Sequence, residues 1–387
     1  MATLTWVAAA AGLASDGLNW SGGVAPMAGD VVVFDSTSIN NCSWDLDALA
    51  VTVHSLTLAT GYTGEVTQGD VDIGIGVGGL TIEYGVLGPN SAREIICSGP
   101  VTNSKGMSGI TINVANFRLT GVGMVFAPTG YIRDLTITEG ASIIAPKPFD
   151  TSTNGVRVTV NGELILKSSF SHYANTIVTV GPNGSISGDG NMRFYHKTQT
   201  VSIYNNGMIT ADILFSSATT SSSITFSPGA DLITQGKISA FSGHPTNTVM
   251  LDLNGHSLTA ASVTVGTRGN ILWGEGTHRI GSLDTSAGGS DFESSQVIMT
   301  GGSIALGAGQ TFHDLITLAE AVTLQSDVAV NNMLAHVGPI ERGAYSLTLA
   351  DPTKEYTGLR RPLVRPLVLA RIEDPICRPL LEGIIRA

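Results

Sequence analysis

The residues in this chain best suited to chemistry are carboxylates. Asp70 and Asp72 stand two positions apart, a spacing that puts both on one face of a strand. Asp212 and Asp231 are 19 residues apart, close to one step of the repeat described below, so stacking would set one above the other. Two carboxylates with an Arg or Lys nearby are what acid–base cleavage of a polysaccharide requires: one protonates the leaving oxygen while the other activates the attacking group. Asp189 and the dipeptide His196-Lys197 complete the candidates. Each has a plainer reading. Asp189 lies in a Gly-Asp-Gly turn, and no acid–base partner stands near Asp212 or Asp231 in the sequence.

Other chemistries find less support. His172, His196, His244 and His256 are scattered without metal-ligand spacing, and Asn254-Gly-His256 reads as a turn. There is no GxSxG motif and no P-loop. The run Gly74-Ile-Gly-Val-Gly-Gly79 sits among strands, where its expected role is tight turns. Cys42, Cys97 and Cys377 are far apart with no CxxC pair, so neither a disulfide framework nor a zinc site is expected. Asn19, Asn41 and Asn183 fit the N-x-[ST] pattern, which matters only in a glycosylating host. No metal or cofactor is expected.

The elements that must position these residues follow from a repeat. A glycine followed closely by an aliphatic residue recurs at Gly78, Gly99, Gly121, Gly140, Gly162, Gly184, Gly207, Gly229, Gly255, Gly281 and Gly302. The steps are 21, 22, 19, 22, 22, 23, 22, 26, 26 and 21 residues, and Gly343-Ala-Tyr-Ser-Leu347 lies 41 further on. Between the glycines run short β-branched segments such as Val156–Val160, Ile177–Val180 and Val249–Leu253, which read as strands. Asn/Asp-Gly turns such as Asn205-Asn-Gly207 separate them. Constant turn phase at a 22-residue step is what a coil of constant circumference demands, since no coil buries its inward face alone. The expected fold is therefore all-β: a single-stranded, right-handed parallel β-helix, with residues 61–350 as the rod. A sandwich also has short strands and glycine turns but does not require a constant step.

A solenoid needs covered ends. Residues 1–60 are the expected N-terminal cap and hold Trp6, Trp20 and Trp44. They carry Asn19-Trp-Ser-Gly-Gly-Val-Ala-Pro26 and Gly29-Asp-Val-Val-Val-Phe-Asp35, followed by Leu56-Thr-Leu-Ala-Thr-Gly-Tyr-Thr-Gly-Glu-Val-Thr67. From Met1 to about Asp70 this resembles the opening module of repetitive surface proteins and of β-helical spike, fibre or decoration proteins of tailed bacteriophages. The resemblance implies architecture, and commonly a homotrimer; it implies no activity.

Residues 351–387 read as an extended Pro/Arg-rich arm. Net charge over the chain is −11, yet residues 359–387 hold six Arg against three acidic residues, +3, leaving −14 for the remainder. Arg360, Arg361, Pro362, Arg365, Pro366, Arg371, Arg378 and Arg386 are the expected docking residues, because prolines bar a continuous helix and guanidiniums suit an acidic partner. An acidic body argues against nucleic acid, and no segment has the roughly 18 uninterrupted apolar residues of a membrane span. The short apolar stretch Leu4–Ala14 lacks the basic start of a signal peptide. Three functional readings result. The first is a non-enzymatic virion protein, assembled in the host cytoplasm and extracellular after lysis, that docks to capsid or tail proteins by its arm and meets a host-surface glycan with its rod. The second is a polysaccharide depolymerase or lyase using Asp70, Asp72, Asp212 and Asp231. The third is a bacterial adhesin, which the missing export signal disfavours.

Overall fold

Short β-branched runs between glycine turns do become strands, and they stack in parallel. A computed structural model shows an all-β chain, about 2% helical, forming a β-solenoid of about 12 turns roughly 22 residues apart. The structure describes residues 1–357 apart from 89–91, 104–111, 128–129, 147–148, 152–155, 173–175, 195–198, 218–222, 293 and 319.

Three ladders run along the rod. The first begins with Thr3–Thr5 on Val31–Phe34, which pairs in turn with Ser55–Leu58. The second starts with Gly12–Leu13 on Cys42–Trp44, followed by Glu65–Gln68. The third passes from Ile73–Ile75 to Ile95–Cys97 and on to Asn116–Leu119. Long strands round a corner and serve two ladders: Ile73–Ile82 joins the third through its first residues and the first through Leu80–Ile82. The glycine run 74–79 therefore lies within a bent strand and not in tight turns. Gly79 has φ +82°, and a Cβ there would collide with the Pro100 carbonyl.

Alternation along each strand sends every second side chain inward. Phe170, Met192, Ile213, Ile238, Val263, Leu283, Ile304 and Leu324 stack in register through eight coils of the second ladder. All are buried, and each contributes about 1.5–3 kcal/mol through removal from water. Aromatic rings continue the pattern, with Phe194 stacked on Phe215 at 5.4 Å and Trp273 on Phe292 at 5.1 Å.

At the N-terminal end the first ladder reaches Thr3, so part of the expected cap is itself coil. The covering is done by the stretch after Asp16. It runs antiparallel beside Trp6: Ser21 N–H donates to the Thr5 carbonyl at 2.9 Å and Val7 N–H to the Asn19 carbonyl at 2.8 Å. Beneath it Trp6, Trp20, Phe34 and Tyr62 form a buried plug, with ring centroids 5.0–5.7 Å apart.

At the other end the first ladder continues through Glu355–Thr357, paired with Leu334–His336. The arm from residue 358 onward, with all eight expected docking residues and Cys377, lies outside the described residues. Near this end the in–out alternation fails. Gln296–Met299 is buried on both faces, and so is most of Phe312–Thr317. Ile298, Ile316 and Ala335 form a second apolar cluster, separate from the main core, with Leu318 and Met333 against it.

Candidate functional site

The carboxylates do not meet as the spacing suggested. Asp70 and Asp72 lie in the turn between Glu65–Gln68 and Ile73–Ile82, not on a strand face. The Gln68 amide helps close that turn by donating to the Val71 carbonyl at 2.9 Å. Asp70 accepts from Arg93 Nε at 2.9 Å, and this hydrogen bond and charge hold its carboxyl below the usual carboxylate range. Asp72 accepts the Glu94 backbone N–H of the next coil at 2.9 Å.

Asp212 and Asp231 are not stacked. Asp212 begins a strand of the second ladder, opposite Asn191, and accepts the Lys237 N–H at 2.9 Å. Asp231 precedes a strand of the first ladder, accepts the Ser257 N–H at 2.8 Å and faces His256 Nδ1 at 3.6 Å. The coil here is long, as the pairing of Ile213 with Ile238 shows. The separation of Asp212 from Asp231 falls short of a full turn and lands on another face.

Of the remaining candidates, Asp189 makes an exposed ion pair with Lys167 at 3.6 Å. His196-Lys197 lies outside the described residues, and nothing is described of the His172 side chain. His244 sits in a turn, its Nδ1 3.2 Å from Thr246 Oγ1. Asn41 accepts the Glu65 N–H, Asn19 donates to the Leu13 carbonyl, and Asn183 donates to Glu139. Cys42 and Cys97 are buried free thiols; burial pushes the Cys97 thiol up to about 11 and raises Cys42 as well. No group of three or more His, Cys, Asp or Glu that could hold a metal occurs among the described residues.

A different arrangement links these carboxylates. Asp72, Asp134, Asp212, Asp231 and Asp327 each accept a backbone N–H from the following coil, from Glu94, Arg157, Lys237, Ser257 and Ser346. Asp30 and Asp45 do the same toward the preceding coil, at Ala2 and Ser15. A charged acceptor on a corner N–H ties one coil to the next where the ladder is interrupted. The Asp30 carboxyl is lowered first by the Ala2 N–H, with burial opposing, and it also accepts the Met27 N–H at 3.1 Å. Replacing Asp30 with Ala strands both donors and is expected to cost about 2 kcal/mol, read as a lower denaturation midpoint.

Two shallow open clefts lie among the described residues. One is lined by Ala11–Leu13, Asn41–Ser43 and Thr67. The other lies among Leu306–Thr311 and Ser326–Ala329; its carboxylate, Asp327, is bonded to Ser346 N–H and Oγ, both at 2.8 Å. Neither holds a free pair of carboxylates.

One residue that sequence reading passed over is His278, wholly buried beside Trp273 with ring centroids 4.9 Å apart. Neither ring nitrogen makes a well-formed hydrogen bond. Burial lowers its pKa to about 4, the Trp273 backbone opposing slightly. The available signal was alternation, since His278 is in phase with the inward Ile280.

Asp70, Asp72, Asp212 and Asp231 each bond to a neighbouring coil, and Asp231 also faces His256. Compared with known proteins, the chain matches no family model, no curated protein and no solved structure.

Proposed function

We propose that this chain is a structural rod with no catalytic role, and that it serves as a virion component of a tailed bacteriophage, of decoration, spike or fibre type. One observation carries the structural half of this reading. The carboxylates that a polysaccharide-cleaving site would need are each engaged in a bond to a neighbouring coil. The virion half rests on the resemblance of the N-terminal stretch, up to about Asp70. In this reading the acidic rod is a stiff spacer that meets host glycan along its flank. Arg360, Arg361, Arg365, Arg371, Arg378 and Arg386 face an acidic capsid or tail partner, with Leu, Val and Ile between the prolines adding apolar contact.

Deleting residues 359–387 is expected to abolish incorporation into particles while leaving the rod's circular dichroism and melting unchanged. Normal incorporation of the truncated chain would overturn the docking role. Incubating the purified chain with host capsule or lipopolysaccharide is expected to release no reducing ends. Turnover that disappears on replacing Asp70 and Asp72 would establish the depolymerase reading instead.

A further inference from the structure

Three Asn-Gly dipeptides occupy the same corner of the rod, where the chain leaves the third ladder for the first. They are Asn183-Gly184, Asn206-Gly207 and Asn254-Gly255. This dipeptide has a reactivity of its own. The glycine nitrogen can attack the carbonyl carbon of the asparagine side chain, because glycine has no Cβ to obstruct the approach. Two conditions decide whether a folded chain permits it. The glycine N–H must not be committed to an acceptor, and its peptide must have room to swing toward the side chain.

The three corners differ on both counts. Gly184 N–H donates to the Gly181 carbonyl at 2.8 Å, and the Asn183 amide is itself held by Glu139 Oε1 at 2.8 Å. Gly207 N–H donates to Asn205 Oδ1 at 3.1 Å. Both glycines press on the coil before. A Cβ at Gly184 would lie 2.0 Å from the Val160 carbonyl oxygen, and one at Gly207 2.2 Å from that of Gly184. Gly255 is placed differently. Its N–H has no acceptor among the described residues, and nothing lies within 4 Å of where its Cβ would stand. The next coil meets its nitrogen through Gly274, whose missing Cβ would lie 2.9 Å away. Asn254 and Gly255 are both exposed, with φ +47° and +81°. His256 N–H closes their turn by donating to the Leu253 carbonyl at 2.8 Å, the pattern of type I′.

We infer that Asn254 is the rod's site of spontaneous succinimide formation, converting to isoaspartate and aspartate without an enzyme. The Gly255 nitrogen gives its proton to solvent and bonds to Asn254 Cγ. The Cγ–Nδ2 bond breaks, and ammonia leaves. Water then opens the imide: attack at Cγ gives aspartate, and attack at the Asn254 backbone carbonyl gives isoaspartate, whose chain runs through the former side chain. The product places a new negative charge beside Asp252, whose Oδ1 accepts the 254 N–H at 3.0 Å. Asp231 of the preceding coil is tied to the same corner through the Ser257 N–H at 2.8 Å. The corner thus grows more acidic, and in the isoaspartyl form longer, as the chain ages. This chemistry does not depend on the virion reading.

Incubating the full chain in mild alkali and mapping its peptides by mass spectrometry tests the assignment. Deamidation adds about one dalton, and isoaspartate accepts a methyl group from S-adenosylmethionine through an isoaspartyl methyltransferase. Free peptides of residues 180–187, 203–210 and 251–258 supply the reference rates. In the folded chain Asn254 is expected to convert within about tenfold of its peptide, and Asn183 and Asn206 more than about tenfold below theirs. Folded Asn254→Gln, which would have to close a larger ring, should lose most of the methyl acceptance; the wild-type map stands without it. Asn254 falling more than about tenfold below its peptide, or Asn183 or Asn206 keeping pace with theirs, overturns the assignment. Methyl acceptance that persists in folded Asn254→Gln overturns it too. Conversion of Asn254 to aspartate alone, with no isoaspartate, overturns the ring route.

Discussion

Acidification from pH 6.5 to pH 4 is expected to destabilise the rod by about 3 kcal/mol through His278 alone. Its pKa is about 4 in the folded chain against 6.5 ordinarily, and each unit of difference corresponds to about 1.4 kcal/mol. The direction follows from which state takes up the proton. Between the two values the unfolded chain binds it and the folded chain does not, so the contribution is complete above pH 6.5 and lost as pH falls toward 4. His278→Leu replaces the imidazole with an apolar side chain and should flatten the denaturation midpoint over that window. An unchanged pH dependence in this variant would remove His278 as the cause. The corner carboxylates act lower on the scale. Asp30, Asp70 and Asp327 are held below their ordinary values by hydrogen bonds from Ala2, Arg93 and Ser346. Their contributions are complete above the ordinary carboxylate range and are lost as pH falls from it through the depressed values, so loss in this second window should survive in His278→Leu.

The second large effect is expected at Trp20. Its ring is 1% exposed, lies 5.0 Å from Trp6 and 5.5 Å from Phe34, and donates its indole N–H to the Ala14 carbonyl at 2.7 Å. Trp20→Ala removes the largest side chain of the covering stretch and strands a buried acceptor, a loss of about 3–5 kcal/mol. In a solenoid each coil is stabilised mainly by its neighbours, so the loss should stay local. Hydrogen exchange should accelerate at Leu4–Trp6 and Val32–Phe34 and remain unchanged at Val263 and Ile280. Uniform acceleration along the rod would show that it unfolds as one unit.

The fold was legible in the sequence because a coil of fixed circumference forces turn chemistry to recur at fixed phase, which the glycines from Gly78 to Gly302 display. The site was not legible, and the reason is the same repeat. An average step hides local coil length: the coil that sets Gln296 beside Asp314 is short, whereas the one that sets Ile213 beside Ile238 is long. Any inference that two residues stack from their separation, as for Asp212 and Asp231, fails where the local coil departs from the mean. The coil-to-coil carboxylate bonds were illegible for another reason. Their acceptor is a common turn residue, and their donor is a backbone N–H that carries no side-chain signature. The buried outer stripe was equally hidden, since Ile298 and Ile316 read as ordinary members of apolar strands.

The antiparallel seal at Trp6 and Trp20 gives the rod a direction. Head-to-tail growth requires each subunit to offer one donor end and one acceptor end. Here the head is occupied by the chain's own residues 19–21. At the foot Ile340–Glu341, Leu347–Leu349 and Glu355–Thr357 each pair with a described strand on one side only. Among the described residues, any strand added at the Trp6 edge would therefore first have to displace residues 19–21.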